Sequence, residues 1–437
     1  MENWTQTQID FYNNMRSKLS KDPKSRLTAA TKNLIEKDNC LFDVHCHIFD
    51  RKTVNIKYVL LRMALMRLFK LESEKAELSY WTEDVFDIYE NANKSDTEAD
   101  LKEFEDELNN LEIYIEQKET NEESFRGRGL KDAIRVVRKG NMEEIYDFYI
   151  NNFSLTKVNE FKNNPFVACV LMMDLQTGWE VNTKKDFSEQ VEELNILANN
   201  KPILPFFAID PRRANLPGDK NLYTLFEKAF TNEDSRFFGV KCYPSLGYFP
   251  DDKRLEPIFK LCEEFNIPVT THCGGESVST HKKSIDYNGN QRRLEGNNRI
   301  ERARLLNAPL HWKPVLEKFP NLKLNLAHFG TDHFWKNHIN TNNNDERILD
   351  LIGMLNDDTK KVYTDFSYNL IEIEILYKLR EVLDSNPQIK SKLMYGTDFW
   401  VVLPGSDLLN DINHYIATFR NDFQNMANYN IKNFLFN

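Results

Sequence analysis

Eight short apolar or alternating runs, several of them closed by Gly, Pro or Asp, constrain this chain more than any other feature: 41–49, 166–175, 203–211, 237–244, 268–275, 323–330, 361–368 and 392–400. Five of the seven gaps between them hold about 23 to 30 residues, enough for one helix and its two loops. Strand and helix therefore alternate eight times, the pattern of parallel strands joined by crossover helices. Such a chain either winds an open sheet or closes on itself. Eight regular units favour closure, and Ile48, Phe49, Asp50 and Arg51, which follow the first run, lack the Gly-rich turn that marks the ligand site of an open sheet. The expected fold class is α/β, a distorted (β/α)8 TIM barrel.

The two oversized gaps are then insertions: 50–165 after strand 1 and 276–322 after strand 5. In the first, 58–69 reads as a mostly buried helix, and Leu101, Phe104, Leu108 and Leu111 recur at helical spacing, so a helical subdomain is expected. The second is polar at its start and carries Arg292, Arg293, Arg299, Arg302 and Arg304; it is expected as a long loop capping the C-terminal mouth of the barrel. Amphipathic stretches at 406–420 and 426–436 close the barrel from outside. The domain reading is an N-terminal helical segment, 1–40, and a barrel over 41–437 interrupted by 50–165.

Composition narrows the function classes. With 437 residues and 41% hydrophobic content the chain can bury a large core, and a formal charge of -10 lacks the basic stripe of a nucleic-acid binder. That charge is local, because residues 96–123 alone sum to -10 and the rest is formally neutral. The first 40 residues are polar, and no uninterrupted apolar stretch is long enough to span a bilayer. The six cysteines include no C-x-x-C pair, as expected of reduced core thiols in a cytoplasmic protein.

Polar residues recur where a barrel assembles its site, at the C-terminal ends of strands. In the first run Asp43, His45 and His47 share one face by alternation, opposite Phe42, Val44, Cys46 and Ile48. Lys241 ends the fourth run, His272 the fifth, His328 the sixth and Asp398 the eighth; Asp365, at the end of the seventh, is a lesser candidate. Imidazoles with a carboxylate suit zinc, manganese or ferrous iron, and an open coordination position makes such a site catalytic. A metal held by His45, His47, His272 and Asp398 would activate water near neutral pH, with Asp398 taking up the proton and His328 polarising a carbonyl or shuttling a proton. Lys241 reads either as a carbamate bridging two metals or as an ammonium binding a substrate carboxylate. Arg212 and Tyr243 are weaker candidates for anchoring a substrate.

These residues carry a resemblance. DVHCH at 43–47, GVKCYP at 239–244, THCGG at 271–275, LAHFG at 326–330 and GTDF at 396–399 stand in the order of the amidohydrolase superfamily of metal-dependent barrels, and the chain is most similar to its amidohydrolase-2 branch. The likeness spans 41–437 apart from the first insertion, and NYNIKNFLF at 428–436 looks like the family's last helix. It implies that His45, His47, His272 and Asp398 hold the metal and that His328 is catalytic. In two-metal relatives the residue matching Lys241 is a carbamylated bridge and the one matching His328 ligates the second metal. The branch includes hydrolases of amides and lactones and also non-oxidative decarboxylases.

The expectation is a metal-dependent hydrolase that uses a metal-activated water on a small acidic or cyclic carbonyl substrate. The cofactor is one zinc ion, two if Lys241 is carbamylated, with manganese or iron as substitutes. The alternatives are a metal-dependent decarboxylase of a small aromatic or unsaturated acid, and a non-catalytic barrel serving as a binding protein. Partners are a small, anionic-leaning molecule, with no nucleic acid and no membrane; a homo-oligomer stays open.

Overall fold

The computed structural model describes residues 4–50, 52–53, 124–179, 183, 185–275, 279–280, 282–368, 373–403 and 406–437. The expected helices at 58–69 and 101–111, and the acidic stretch 96–123, lie outside them.

Eight parallel strands form the barrel: β1 (Leu41–Cys46), β2 (Phe166–Leu171), β3 (Ile203–Ile209), β4 (Gly239–Cys242), β5 (Val269–His272), β8 (Leu324–Ala327), β9 (Val362–Asp365) and β10 (Leu393–Met394). They neighbour one another in sequence order, each falling within one of the eight apolar runs. Backbone hydrogen bonds from Val44 N to Tyr395 O, from Asp398 N to His45 O and from His47 N to Phe399 O join the segment leaving β10 to β1 and bring the ring nearly to closure. The strands are buried on both faces, which is why their sequences read as almost continuous apolar runs.

Two apolar layers result. One packs the helices, such as Phe187–Asn200, Leu222–Thr231 and Glu256–Glu264, onto the outer face of the barrel through Val191, Phe226, Ile258 and their neighbours. The other fills the barrel toward its N-terminal end, where Phe42, Val44, Val167, Cys169, Leu171, Leu204, Phe206 and Met394 meet Ile35 of the helix Ala29–Ile35 and Ile431, Phe434 and Leu435 of the helix Tyr429–Phe436.

Strict alternation fails in β1. Asp43 pairs with Ala168 and Cys46 with Val170, so one extra residue of β1 is accommodated and the register shifts between them. Phe42 and Val44 therefore face the barrel interior, yet so do His45 and His47, while Asp43 turns outward to the hydroxyl of Tyr149 on the helix Met142–Asn152. The expectation that Asp43 shares the face of the two histidines is corrected by this bulge.

The cap after β5 is more ordered than a polar loop. It contains an antiparallel hairpin of β6 (Ser284–Tyr287) and β7 (Asn290–Arg293), turned at Asn288 and Gly289, followed by the helix Arg299–Leu306. All six cysteines are unpaired and buried. Among the described residues no helix is long and apolar enough to cross a membrane.

Candidate metal centre

The C-terminal mouth brings six of the expected residues together, all buried: His45, His47, Lys241, His272, His328 and Asp398. His45 donates from Nδ1 to Asp365 Oδ2 at 3.2 Å, and His47 donates from Nδ1 to the Leu171 carbonyl at 2.8 Å. Both acceptors lack a proton, which places each ring's proton on Nδ1 and leaves a lone pair on Nε2. Those two Nε2 atoms stand 3.6 Å and 3.3 Å from Asp398 Oδ1. Three acceptor atoms thus face one another, and the nearest donor, Lys241 Nζ, makes a long contact of 3.4 Å to His45 Nε2. Only a cation relieves such an arrangement, so the donor set fits a divalent metal held by imidazole and carboxylate.

His272 stands outside this compact trio. Its Nδ1 lies 2.9 Å from His328 Nε2, and His328 Nδ1 lies 3.1 Å from the carbonyl and 2.9 Å from the hydroxyl of Ser367. A carbonyl can only accept, so neutral His328 keeps its proton on Nδ1, Nε2 accepts from His272 Nδ1, and His272 Nε2 is left as a bare lone pair. That atom is buried and has no hydrogen-bond partner among the described residues. A buried lone pair in this position is also suited to a metal. The ring of Tyr243 stacks on His272 at 4.3 Å.

Asp365 proves more central than its sequence position suggested. Its carboxylate accepts from His45 Nδ1, Asn325 Nδ2 at 2.7 Å, the backbone N–H groups of His328 and Ser367, and the Ser367 hydroxyl. His45, His328 and Asp365 form a second group with metal-ligand spacing. With these five donors around it, however, Asp365 works as a hydrogen-bond hub that orients two histidines. Asn325 and Ser367 escaped the sequence reading: Asn325 has the opposite parity to His328, and Ser367 lies in the turn two residues beyond Asp365. Asp43, behind the site, accepts from His45 N and Thr397 N through Oδ1 and from the hydroxyls of Tyr149 and Thr397, each at 2.5 Å, through Oδ2. It thereby ties β1 to the turn that carries Asp398.

Electrostatics follow from burial. Burial, then the Lys241 charge, pushes His45 down to about 3, so it is neutral at physiological pH. Burial lowers His272 and His328 as well. Lys241 falls to about 8 through burial, against the opposing pull of Asp398 and Asp365. Burial alone would raise Asp365 and Asp398, but their histidine partners outweigh it and hold both below the usual carboxylate range. Burial brings Asp43 up to about 7 despite its four hydrogen bonds.

The backbone turns left-handed at the residues that enter the site: His328 has φ 75°, Tyr368 60° and Asp398 54°. Such conformations are uncommon outside glycine and recur at functional sites. Gly396 allows the approach, since a Cβ there would lie 2.8 Å from His45 Cβ. Of the weaker candidates, Arg212 is engaged by the Asp210 carboxylate and the Leu246 carbonyl, and Arg213 rather than Arg212 forms the buried pair with Asp174.

The amidohydrolase family model matches residues 196–415. Among solved structures, the chain is similar to an amidohydrolase II, with 15% identity over 70% of this chain and 95% of that one and a TM-score of 0.41. It is similar to amidohydrolase 2 from Bifidobacterium longum subsp. infantis, with 11% identity over 68% and 87% and a TM-score of 0.39. A zinc-bound amidohydrolase from Burkholderia multivorans shares 10% identity over 70% and 90%, with a TM-score of 0.42. No curated protein matches the chain.

Proposed function

The chain belongs to the amidohydrolase family of enzymes, and on that premise we propose that it is a metal-dependent hydrolase acting at a carbonyl carbon of a small acidic or cyclic substrate. The observation that carries the reading is the convergence of the His45 and His47 Nε2 lone pairs on Asp398 Oδ1. We assign these three residues, with His272 through its bare Nε2, to one divalent ion, zinc before manganese or iron. The saturated carboxylate of Asp365 argues against a second ion beside it. When bound, the ion supplies Lewis acidity, polarising a substrate carbonyl and making water a better nucleophile.

The chain's own residues handle the protons. Asp398, buried and held below the usual carboxylate range, takes up the proton of the attacking water. His328, with Nδ1 held by Ser367, can receive and return a proton only at Nε2, which suits delivery to a leaving group. Lys241, buried between the two carboxylates' charges, offsets their repulsion and remains available to an anionic substrate group. In this reading 41–437 forms the catalytic barrel, 50–165 an insertion in it, and 1–40 a helical segment whose first helix packs on the outer helices and whose second meets the base; the six reduced thiols suit a cytoplasmic setting.

Elemental analysis of the purified protein is expected to give about one divalent ion per chain, and the His45→Ala, His47→Ala double variant to lose it while keeping its circular dichroism. An unchanged metal content in that variant would sink the assignment. Asp398→Asn is expected to lower turnover on a panel of lactones and amides by about 10²- to 10⁴-fold. Product formed in ¹⁸O-labelled water should carry one labelled oxygen per turnover; carbon dioxide release without label would make the enzyme a lyase.

A further inference from the structure

Among the outer helices, Ile373–Ser385 and Leu408–Phe419 leave between them a cleft of about 380 Å³, within the size range of small-molecule sites. Leu376 is buried against it, and Tyr377, 63% exposed, offers a bare aromatic ring with no hydrogen bond or ring contact among the described residues. At one end of the cleft the chain makes an abrupt turn. Arg420 alone separates the helix Leu408–Phe419 from the helix Asn421–Ala427, and its backbone takes φ 48° and ψ −122°. That is the geometry of the first central position of a II′ turn, where glycine is the usual occupant because a Cβ crowds the backbone. Glycine would make the same turn without strain, so this chain carries an arginine side chain into the cleft at a cost in stability.

The charges around the cleft show what that side chain faces. Arg380 pairs through Nε with Asp384 at 3.1 Å and through Nη1 with Asp422 at 2.9 Å, and Lys390 reaches the same two carboxylates at 2.8 Å and 3.6 Å. Two cations and two anions cancel. Arg420 is left over: it is exposed, and its guanidinium has no ion pair or hydrogen bond among the described residues. No acid stands among the described residues that line the cleft. The His414 ring and the Thr418 hydroxyl line it as well, both half-buried and both without a partner among the described residues, so each has a donor to offer. One surplus positive charge, two spare donors and an open aromatic face thus border one space.

We propose that this cleft binds an aromatic oxyanion, a flat ring that lies on Tyr377 and carries a carboxylate or phosphate held by Arg420, with His414 and Thr418 donating to it. The site stands apart from the metal centre, with which it shares no residue.

The test is calorimetric titration of the full-length protein, as purified, with phenyl phosphate, benzoate, inorganic phosphate and phenol. One of the two ring acids is expected to bind tightest, phenyl phosphate if the ligand carries a phosphate and benzoate if it carries a carboxylate, with inorganic phosphate and phenol weaker by about 10-fold or more. Arg420→Gln is expected to weaken the tighter acid by about 10-fold, and Tyr377→Ala by about 3- to 10-fold, whereas Tyr377→Phe should stay close to wild type. Arg420→Gly should lose as much affinity as Arg420→Gln while unfolding at a higher temperature. Metal content should be the same in every variant, so that any binding at the mouth is held constant. No binding of either ring acid by wild type, or binding that Arg420→Gln and Tyr377→Ala both leave unchanged, overturns the proposal. So does inorganic phosphate binding as tightly as the ring acids, since the ring would then play no part.

Discussion

At the C-terminal mouth of the barrel Asp365 accepts five hydrogen bonds, and Nδ1 of each of His45, His47, His272 and His328 is engaged. At the opposite end two cations are buried with almost nothing. Lys323, just before β8, donates to the Leu435 carbonyl at 3.0 Å, and Arg26 lies over the rings of Phe230 and Phe238 with none of its three guanidinium nitrogens hydrogen-bonded among the described residues. Burial and neighbouring cations bring Lys323 down to about 6, and burial brings Arg26 down to about 10. The same barrel thus spends its hydrogen-bonding capacity where charge must be aimed and leaves charge under-satisfied where only the end of the core has to be closed. Polar density at the mouth marks chemistry; isolated charge at the base marks a cost to stability.

The strongest way to break that comparison is to empty the hub at the mouth. Asp365→Ala leaves the buried donors of His45, Asn325, His328 and Ser367 facing no acceptor, and should destabilise the protein by about 3–5 kcal/mol in urea titrations. Asp365→Asn keeps the volume and some acceptance, so it should remain folded while zinc affinity in a chelator competition falls by about 10- to 100-fold. A loss of stability below roughly 1 kcal/mol for the alanine variant would mean that the network is no tighter than an exposed ion pair.

At the base the sign reverses, because Lys323→Met removes a buried amine that has no carboxylate partner among the described residues and keeps most of its volume. Stability should rise by about 1–4 kcal/mol at neutral pH. The pH dependence carries the argument. The folded-state pKa of about 6 lies below the ordinary lysine value of 10.5, so between those limits the unfolded chain binds more protons than the folded one. Wild-type stability should therefore climb as pH is raised from about 6 toward 10, and the penalty should be complete below about 6. The methionine variant should lack that component of the slope. Parallel pH profiles for the two proteins would refute the buried-cation reading.

The mouth was far more legible in the sequence than the base. Strand-end histidines and Asp398 announce themselves because an inward strand position is a definite place in a barrel, and eight apolar runs with helix-sized gaps fix where the strands lie. Alternation alone, however, misplaced Asp43, since a one-residue bulge between it and Cys46 has no marker in DVHCH. The β6–β7 hairpin does have one: Asn288–Gly289, with φ of 53° and 82°, is the residue pair that two-residue hairpin turns favour, but the polar residues around it carry no strand-like alternation. Asp365 looked minor because what distinguishes it, five donors from β1, β8 and its own turn, exists only after folding. Arg26 and Lys323 gave no signal at all, because a lone cation between polar segments normally lies in solvent.

The finest probe lies between the two ends, where Tyr149 of the helix Met142–Asn152 donates to Asp43 Oδ2 behind β1. Asp43 also holds the backbone of His45 and Thr397, so among the described residues one hydrogen bond, from the Tyr149 hydroxyl, links this helix to the floor of the candidate metal centre. Tyr149→Phe removes one hydrogen bond to a carboxylate while its ring stays packed against Phe399 at 4.6 Å. The remaining Thr397 hydroxyl keeps Asp43 Oδ2 paired. Stability should fall by about 1–2 kcal/mol, less than for Asp365→Ala, because one donor is lost instead of one acceptor that serves five. Zinc affinity should fall by no more than a few-fold, since His45 and Asp398 keep their own partners. A drop in zinc affinity as large as that of Asp365→Asn would instead make the insertion's last helix a working part of the mouth, and the contrast would then run between β1 with its helix and the remainder of the ring.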